Sequence, residues 1–413
     1  MVVATACAVA PARTGASPSA GAPEVSNPKA VSLAGALPTP AVDPTAPPGQ
    51  PAPRLEPGPR ATRQIAGMEF AVLGEVAELR VESAIALSDE ATVLATVEAD
   101  LKAVERELDR RFAARPVIYI FATSESYARG LTRIFGYPQA TAAFVAENSV
   151  SFFEPALLLI AVSWESVRFQ RPIAAIRHEL THLLTLDACA PRCDLVPAWL
   201  NEGQARLAEA QVPGGEWRLV RLRYEAASMA ATGTLIPLSS LVSQLSWNAL
   251  TDWAGYYKYQ EAARATELLR ADIGGGAPMA RMYERIRRGQ NVAQAYAELA
   301  GRSFEGFVAG LPARMRQIAA PSPGIVTLPG IPEGVGASYL LYGFAPATTV
   351  ILTISGPRRT ESWPVTLSPF GASFDSLTPS AARGTYTISA QHAGGVLTAT
   401  VTKPTAGATN DPR

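Results

Sequence analysis

The chain has 413 residues, enough for two or three domains, since single domains usually run to about 100–200 residues. Its 36 Lys and Arg residues equal its 36 Asp and Glu residues, so no net charge attracts nucleic acid or an anionic membrane surface. No stretch reaches the roughly 18–20 uninterrupted apolar residues that span a bilayer, so we expect no transmembrane segment.

The N-terminal segment indicates export. Residues 2–10 are small and apolar, and Ala8 and Ala10 have the A-x-A spacing of a signal-peptide cleavage site. Cys7 offers a lipid anchor as an alternative, and an unprocessed N-terminus is the third interpretation. Residues 11–63 hold 13 of the 34 prolines, and no aromatic residue precedes Phe70, so we predict a disordered linker through residue 63. The protein is expected to be extracytoplasmic, secreted or tethered through its N-terminus.

From Phe70 onward the sequence has the periods of regular secondary structure. It predicts strands over 70–81, 116–122, 149–153 and 157–162, with helices over 90–112, 124–135 and 172–186. Residues 197–317 have an almost entirely helical pattern, with breaks at 213–215 and 274–278. We therefore expect an α+β domain over residues 64–320, in which a lobe with a mixed sheet leads into a helical lobe.

The C-terminal region alternates apolar residues with Thr or Ser. This period of two over 349–355, 385–389 and 397–402, with Gly- or Pro-containing turns between, is typical of short antiparallel strands. It predicts a separate β-sandwich of about seven strands over residues 321–404, immunoglobulin-like in plan. Residues 405–413 are left as a tail.

Two of the three histidines belong to one motif, His178-Glu179-Leu180-Thr181-His182. Histidines four apart on a helix lie one turn apart on the same face, so both rings can bind one ion. Glu179 projects about 100° round the helix from His178, where it can act as a base. The pattern predicts a zinc site with catalytic potential.

A hydrolytic zinc site needs a third protein ligand and an open position for water. Glu202, in the segment PAWLNEGQA over residues 197–205, is the best candidate for that ligand. Gly203 and Ala205 are small, which predicts close approach of this helix to the first. Glu209, further along the same amphipathic pattern, is the weaker rival.

The HELTH and WLNEG segments together resemble the gluzincin metallopeptidases, and the lobe layout resembles the peptidase MA-like domains of bacterial extracytoplasmic proteins. The resemblance covers residues 66–317 and implies zinc bound by His178, His182 and Glu202, with Glu179 as the general base. WLNEG is also similar to the M1-type aminopeptidases. Their GAMEN motif is absent upstream of the zinc helix, which argues against a dedicated aminopeptidase.

The resemblance also implies a tyrosine that stabilises the oxyanion of the reaction. The family has a tyrosine-bearing helix after the third ligand, and this chain has Tyr256, Tyr257 and Tyr259 there. Register from the downstream Leu and Gly residues favours Tyr259. Ordinary aromatic packing on a helix is the alternative for each of them.

Other residues offer competing interpretations. Cys189 and Cys193 with the two histidines would close a four-ligand structural zinc site, whereas export favours a disulfide between them. Asp187 and Asp194 are candidates to orient a zinc-bound imidazole, or else ordinary helix-end and loop residues. His392 is interpreted as an isolated histidine of the β-domain.

The sequence thus predicts a zinc-dependent endopeptidase, a monomer acting on protein or peptide substrates with no nucleic-acid partner. The alternative is a non-catalytic cell-surface binding protein that uses a peptidase-like platform and a β-sandwich. The intact Glu179 favours the enzyme, because a metal-retaining but inactive protein has no need of a base.

Overall fold

The computed structural model describes residues 61–154, 159–168, 174–212, 215–250, 252–318, 323–328, 338–377 and 382–403. The signal and anchor predictions, including Cys7, lie outside these residues, as do the C-terminal tail and most of the linker. Thr62 and Arg63, assigned above to the linker, pair instead in the first strand. Across the described ranges, no helix has both the length and the apolar composition needed to cross a membrane.

The N-terminal part of the fold is a mixed six-stranded sheet in the order β1-β2-β3-β4-β6-β5. Its strands are β1 Thr62–Ile65, β2 Met68–Leu73, β3 Glu78–Glu82, β4 Val117–Phe121, β5 Ser151–Glu154 and β6 Leu159–Ser163. Strands β3, β4 and β6 run parallel, and the other pairs are antiparallel. The single strand predicted over 70–81 is wrong: the chain turns at Gly74, which has φ +83°, and forms the β2–β3 hairpin.

Helices cover both faces of this sheet. They are α1 Leu87–Glu107, α2 Ser124–Arg133, α3 Gln139–Asn148, α4 Trp164–Val167 and α5 Ala174–Cys189. In β4, Ile118 and Ile120 join the core shared with α1 and α5, whereas Tyr119 and Phe121 join a second core that contains Tyr127 of α2. Successive strand residues point to opposite faces, so a strand buried on both sides is apolar throughout.

The following region is helical, as expected. It consists of α6 Ala198–Ala210, α7 Glu216–Thr232, α8 Gln244–Asn248, α9 Asp252–Ile273, α10 Gly276–Arg287, α11 Val292–Ala300 and α12 Phe304–Met315. One buried cluster runs from Ile120 in the sheet through Leu180 and Leu200 to Leu269 and Phe307. The sheet and the helices therefore share a core, which confirms an α+β arrangement with a mixed sheet.

Gly203 determines how closely α6 approaches its neighbour. A Cβ atom at this position would lie 2.3 Å from Thr266 Oγ1 and 2.4 Å from the carbonyl oxygen of Ala262, both in α9. The absence of a side chain therefore allows contact between α6 and α9. The expectation that Gly203 serves the approach of α6 to α5 is wrong.

Two antiparallel sheets form the C-terminal region, with strand orders β10-β9-β12-β13 and β11-β8-β7. The strands are β7 Gly324–Leu328, β8 Ser338–Tyr342, β9 Thr349–Ser355, β10 Thr360–Thr366, β11 Ser373–Ser376, β12 Gly384–His392 and β13 Gly395–Lys403. Leu341 of one sheet and Leu352 and Ile388 of the other belong to the same buried cluster. The two sheets thus enclose one core.

Candidate metal centre

Helix α5 carries the HELTH motif through the middle of the protein. Every residue from Ala174 to Thr185 is buried, because α5 packs against α1, α6, α10 and strands β5 and β6. The Arg177 guanidinium makes a buried ion pair of 2.8 Å with Asp100 of α1 and donates to the carbonyl oxygen of Gln211 at 2.9 Å. These contacts tie α5 to α1 and to the end of α6, so the motif side chains are held on a rigid element.

The side chains of His178, His182 and Glu202 meet between α5 and α6. The two Nε2 atoms are 3.1 Å apart, and Glu202 Oε2 lies 3.7 Å from that of His178 and 3.5 Å from that of His182. All three residues are fully buried, and their ligand atoms lie close enough together to hold one metal ion. The predicted three-residue set is therefore brought together.

Strand β5 supports the motif from the edge of the sheet. Ser151 Oγ donates to Glu179 Oε1 at 2.6 Å, and the Phe153 ring stacks on the His182 imidazole with centroids 4.6 Å apart. Residues two apart in a strand point to the same face, so one face of β5 positions both Glu179 and His182. No sequence pattern around Ser151 indicated this contact.

Glu209 lies behind His178, on the side away from the ligand atoms. Its Oε2 is 3.3 Å from His178 Nδ1, while Oε1 accepts from Arg206 at 2.6 Å and lies 3.8 Å from Arg218 Nε. A carboxylate at Nδ1 favours the tautomer whose Nε2 lone pair is available to a metal. Glu209 therefore faces the back of the His178 ring, and its interpretation as a rival third ligand is wrong.

The two aspartates considered for that orienting role are engaged elsewhere. Asp187 pairs with Arg110 at 3.0 Å, and Asp194 pairs with Arg192 at 3.1 Å near the protein surface. They are helix-end and loop residues. Glu209 follows Glu202 by seven positions, two helical turns, and this spacing is the sequence signal that could have identified it.

The electrostatics of the site are dominated by buried carboxylates. Burial opposes a charged His178 ring, but the adjacent Glu202 and Glu209 carboxylates outweigh it and raise the pKa of His178 to about 10. Burial likewise favours neutral Glu202, but the charge of His182 and the proximity of both imidazoles lower its pKa to about 2. Without a bound metal, a protonated His178 thus supplies the positive charge beside the buried carboxylates.

The sequence patterns did not indicate two further residues that lie near Glu202. Gln244 of α8 donates to Glu202 Oε1 at 3.5 Å. Lys258 of α9 is buried and donates to the carbonyl oxygen of Trp247 at 2.6 Å; burial, opposed by the charge of Glu202, lowers its pKa to about 8. Both come from segments far along the chain, so local spacing carried no signal for them.

All three predicted tyrosines make aromatic contacts. Tyr259 is buried in α9 with its ring edge-on to Trp247, at 4.9 Å between centroids. Tyr257 packs edge-on against Phe370 of the C-terminal region at 4.3 Å, and Tyr256 is edge-on to Tyr257 at 4.8 Å. The oxyanion role of Tyr259 stays a prediction.

The cysteines and the third histidine lie outside the ligand set. Cys189, the last residue of α5, forms a disulfide with Cys193, so neither sulfur is a free thiolate. His392 Nδ1 accepts from the Gly394 N–H at 3.2 Å, and its ring meets Phe344 edge-on at 5.3 Å, within the β-domain.

No protein-family model matches the chain. None of the curated proteins is significantly similar to it either.

Proposed function

We propose that this protein is a zinc peptidase of the gluzincin type, with His178, His182 and Glu202 as ligands and Glu179 as the general base. The observation that carries the proposal is the spacing of the three ligand atoms, 3.1, 3.5 and 3.7 Å. Zinc bonds of 2.0–2.1 Å at tetrahedral angles would separate ligand atoms by roughly 3.3–3.4 Å. The three spacings bracket that value, so the side chains fit zinc with little movement.

The chemistry of the donor set supports the same ion. Two imidazoles and one carboxylate suit zinc, and a three-ligand set leaves one position open for water. Oε1 of Glu202 accepts from Gln244, whereas Oε2 makes no hydrogen bond within the described residues. That oxygen is thus available to a cation. The Cys189–Cys193 disulfide argues against the structural zinc site, which needs both thiolates.

Hydrolysis would use the motif glutamate to move one proton. Zinc held at this site supplies a polarised carbonyl and a water of lowered pKa. Glu179, oriented by Ser151, takes a proton from the attacking water and passes it to the leaving nitrogen as the C–N bond breaks. The products are a carboxylic acid and an amine, which are the two halves of a cleaved peptide.

The edge of the sheet supports a polypeptide substrate. Strand β5 has β6 as its one hydrogen-bonded neighbour among the described strands. An extended peptide can pair with such an edge through main-chain hydrogen bonds. Ser151 and Phe153 of this strand contact Glu179 and His182, so a peptide bound along β5 would run beside the metal centre.

The proposal also covers the fold family of the two lobes, the C-terminal sheets and the location of the protein. The sheet lobe and helical lobe form the gluzincin-like unit, and the two C-terminal sheets of four and three strands are immunoglobulin-like in plan. A disulfide persists in oxidising compartments, which supports an extracytoplasmic location. We place the protein as a secreted or surface-tethered monomer.

The test compares the full chain with Glu179→Gln, using casein as substrate and metal analysis on the same samples. We expect about one equivalent of zinc in both proteins. Loss of a general base is expected to reduce turnover by about 10²–10⁴-fold. Glu305→Gln, at an exposed position in α12, is the matched control and should cleave casein at the wild-type rate.

The outcomes separate the two functions considered. Zinc binding with no hydrolysis of casein or of other unfolded proteins by the wild-type chain would favour the non-catalytic binding protein. Failure to bind zinc would refute both the metal centre and the peptidase. Equal activity of the wild type and Glu179→Gln would refute the assignment of the base.

A further inference from the structure

The C-terminal β-domain packs on the helical lobe through aromatic side chains. Phe374 of β11 stacks on Trp217 of α7, with ring centroids 5.9 Å apart and planes inclined by 11°. Nearby, the Gly343 N–H donates to Ser228 Oγ of α7 at 3.0 Å, and Tyr342 meets Tyr224 edge-on at 4.5 Å. The β-domain is therefore in close contact with α7.

Phe374 and Trp217 each lie against one arginine of that helix. The Cζ of Arg221 lies 3.9 Å from the centroid of the Phe374 ring, and the Cζ of Arg218 lies 4.7 Å from the Trp217 ring. Their side chains are 8% and 10% exposed. Because guanidinium groups are well matched to aromatic faces, these rings can hold the cations in place while excluding water from them.

Arg218 connects this contact to the metal centre. Its Nε lies 3.8 Å from Glu209 Oε1, and Glu209 Oε2 lies 3.3 Å from Nδ1 of His178. Charge interactions strengthen as water is excluded, so access of solvent to Arg218 would weaken its hold on Glu209. Trp217, Arg218 and Glu209 thus link the aromatic contact to a proposed metal ligand.

We propose that the β-domain forms the outer wall of the metal centre, with Phe374 as a positioning residue that acts on His178 through Trp217, Arg218 and Glu209. The inference rests on the zinc site of the proposed function. It does not depend on peptide hydrolysis at that site.

The experiment measures zinc affinity in the full chain by competition with a chromophoric chelator. Substitutions along a packed network change coupled equilibria by about 0.5–2 kcal/mol, so we expect Phe374→Ala to weaken zinc binding by about two- to thirtyfold. The visible absorption of the Co²⁺ protein should shift as well, since it reports ligand geometry. Phe374→Leu, which restores much of the apolar cover, should recover most of the affinity.

Trp363→Ala is the matched control. Trp363 is an aromatic residue of β10 that packs on the core of the β-domain itself. Its removal should lower the stability of the β-domain while leaving zinc affinity and the Co²⁺ spectrum unchanged. Equal loss of affinity in Phe374→Ala and Trp363→Ala would overturn the proposal, because it would reflect general destabilisation.

Arg218→Met keeps the test decisive if Phe374→Ala does not fold. It retains an apolar stem beside Trp217 but removes the charge next to Glu209, and we expect weaker zinc binding here too. Wild-type zinc affinity in the folded Phe374→Ala protein or in Arg218→Met would overturn this inference and leave the proposed zinc site standing. A wild-type chain that binds no zinc would instead refute the proposed function.

Discussion

Glu209 is the carboxylate that lies at Nδ1 of His178, and Glu209→Gln tests at constant side-chain size whether it orients this ring. Carboxylates behind metal-bound imidazoles typically contribute about 10- to 100-fold to metal affinity. Glu209 is 6% exposed and lies 3.3 Å from Nδ1, so solvent screens the contact little. We therefore expect the upper part of that range, about 30- to 100-fold weaker zinc binding, or about 2–2.7 kcal/mol.

The same substitution disturbs two arginines, so a control must separate affinity from stability. Glu267 of α9 is also held by two arginines, Arg223 and Arg264, and Arg264 precedes it by three positions as Arg206 precedes Glu209. Both substitutions should lower the free energy of unfolding, since each leaves guanidinium groups without a carboxylate. Glu209→Gln should cost about 3 kcal/mol, and Glu267→Gln less, because the Arg223 side chain is 41% exposed and water can solvate it.

The assay is competition for zinc with a chelating dye, alongside urea unfolding of each metal-free protein. Glu209→Gln should lose both affinity and stability, whereas Glu267→Gln should lose stability alone. If Glu209→Gln bound zinc as tightly as the wild type, Glu209 would not orient His178. If both variants lost affinity equally, the effect would come from destabilisation.

Three further predictions concern pH, packing and the disulfide. In the metal-free protein the pKa of His178 is raised from 6.5 to about 10, so its contribution to stability is full below pH 6.5 and lost as pH rises to about 10. Urea unfolding of the metal-free chain should therefore show stability falling across this window; a rise there would contradict the assignment. Gly203→Ala should cost about 1–3 kcal/mol in urea unfolding, because its Cβ would clash with α9. Gly310→Ala, at a helical glycine where an added Cβ would meet no atom within 4 Å, should be neutral or stabilising; equal effects would refute the close-packing explanation. Cys189→Ser with Cys193→Ser should cost about 2 kcal/mol but keep one equivalent of zinc, whereas loss of zinc would favour the structural zinc site.

The ligand motif was predictable because it is local. His178 and His182 are one turn apart, and any α-helix places such residues on the same face. The apolar run of β4 and the alternation of β9 likewise depend on periods that the sequence displays directly. Where a turn interrupted a periodic stretch, as at Gly74, the prediction merged two strands into one.

The packing of helix α6 against its neighbours was only partly predictable from the sequence. The helix and the inward direction of Glu202 follow from its pattern, but Gly203 was assigned to the wrong neighbour. Sequence spacing identifies a small residue on a helix face without saying which helix approaches that face. That choice depends on the packing of α9, about 60 residues further along the chain.

The sequence by itself determined the two imidazoles, the adjacent glutamate and the alternation of the strands, because each is a relation between residues within one element. The tertiary structure decided that Ser151 and Phe153 contact the motif, that Glu209 lies behind His178, and that the β-domain packs on α7. Those contacts join separate elements, and their distances follow from how whole helices and sheets bury their apolar faces against one another.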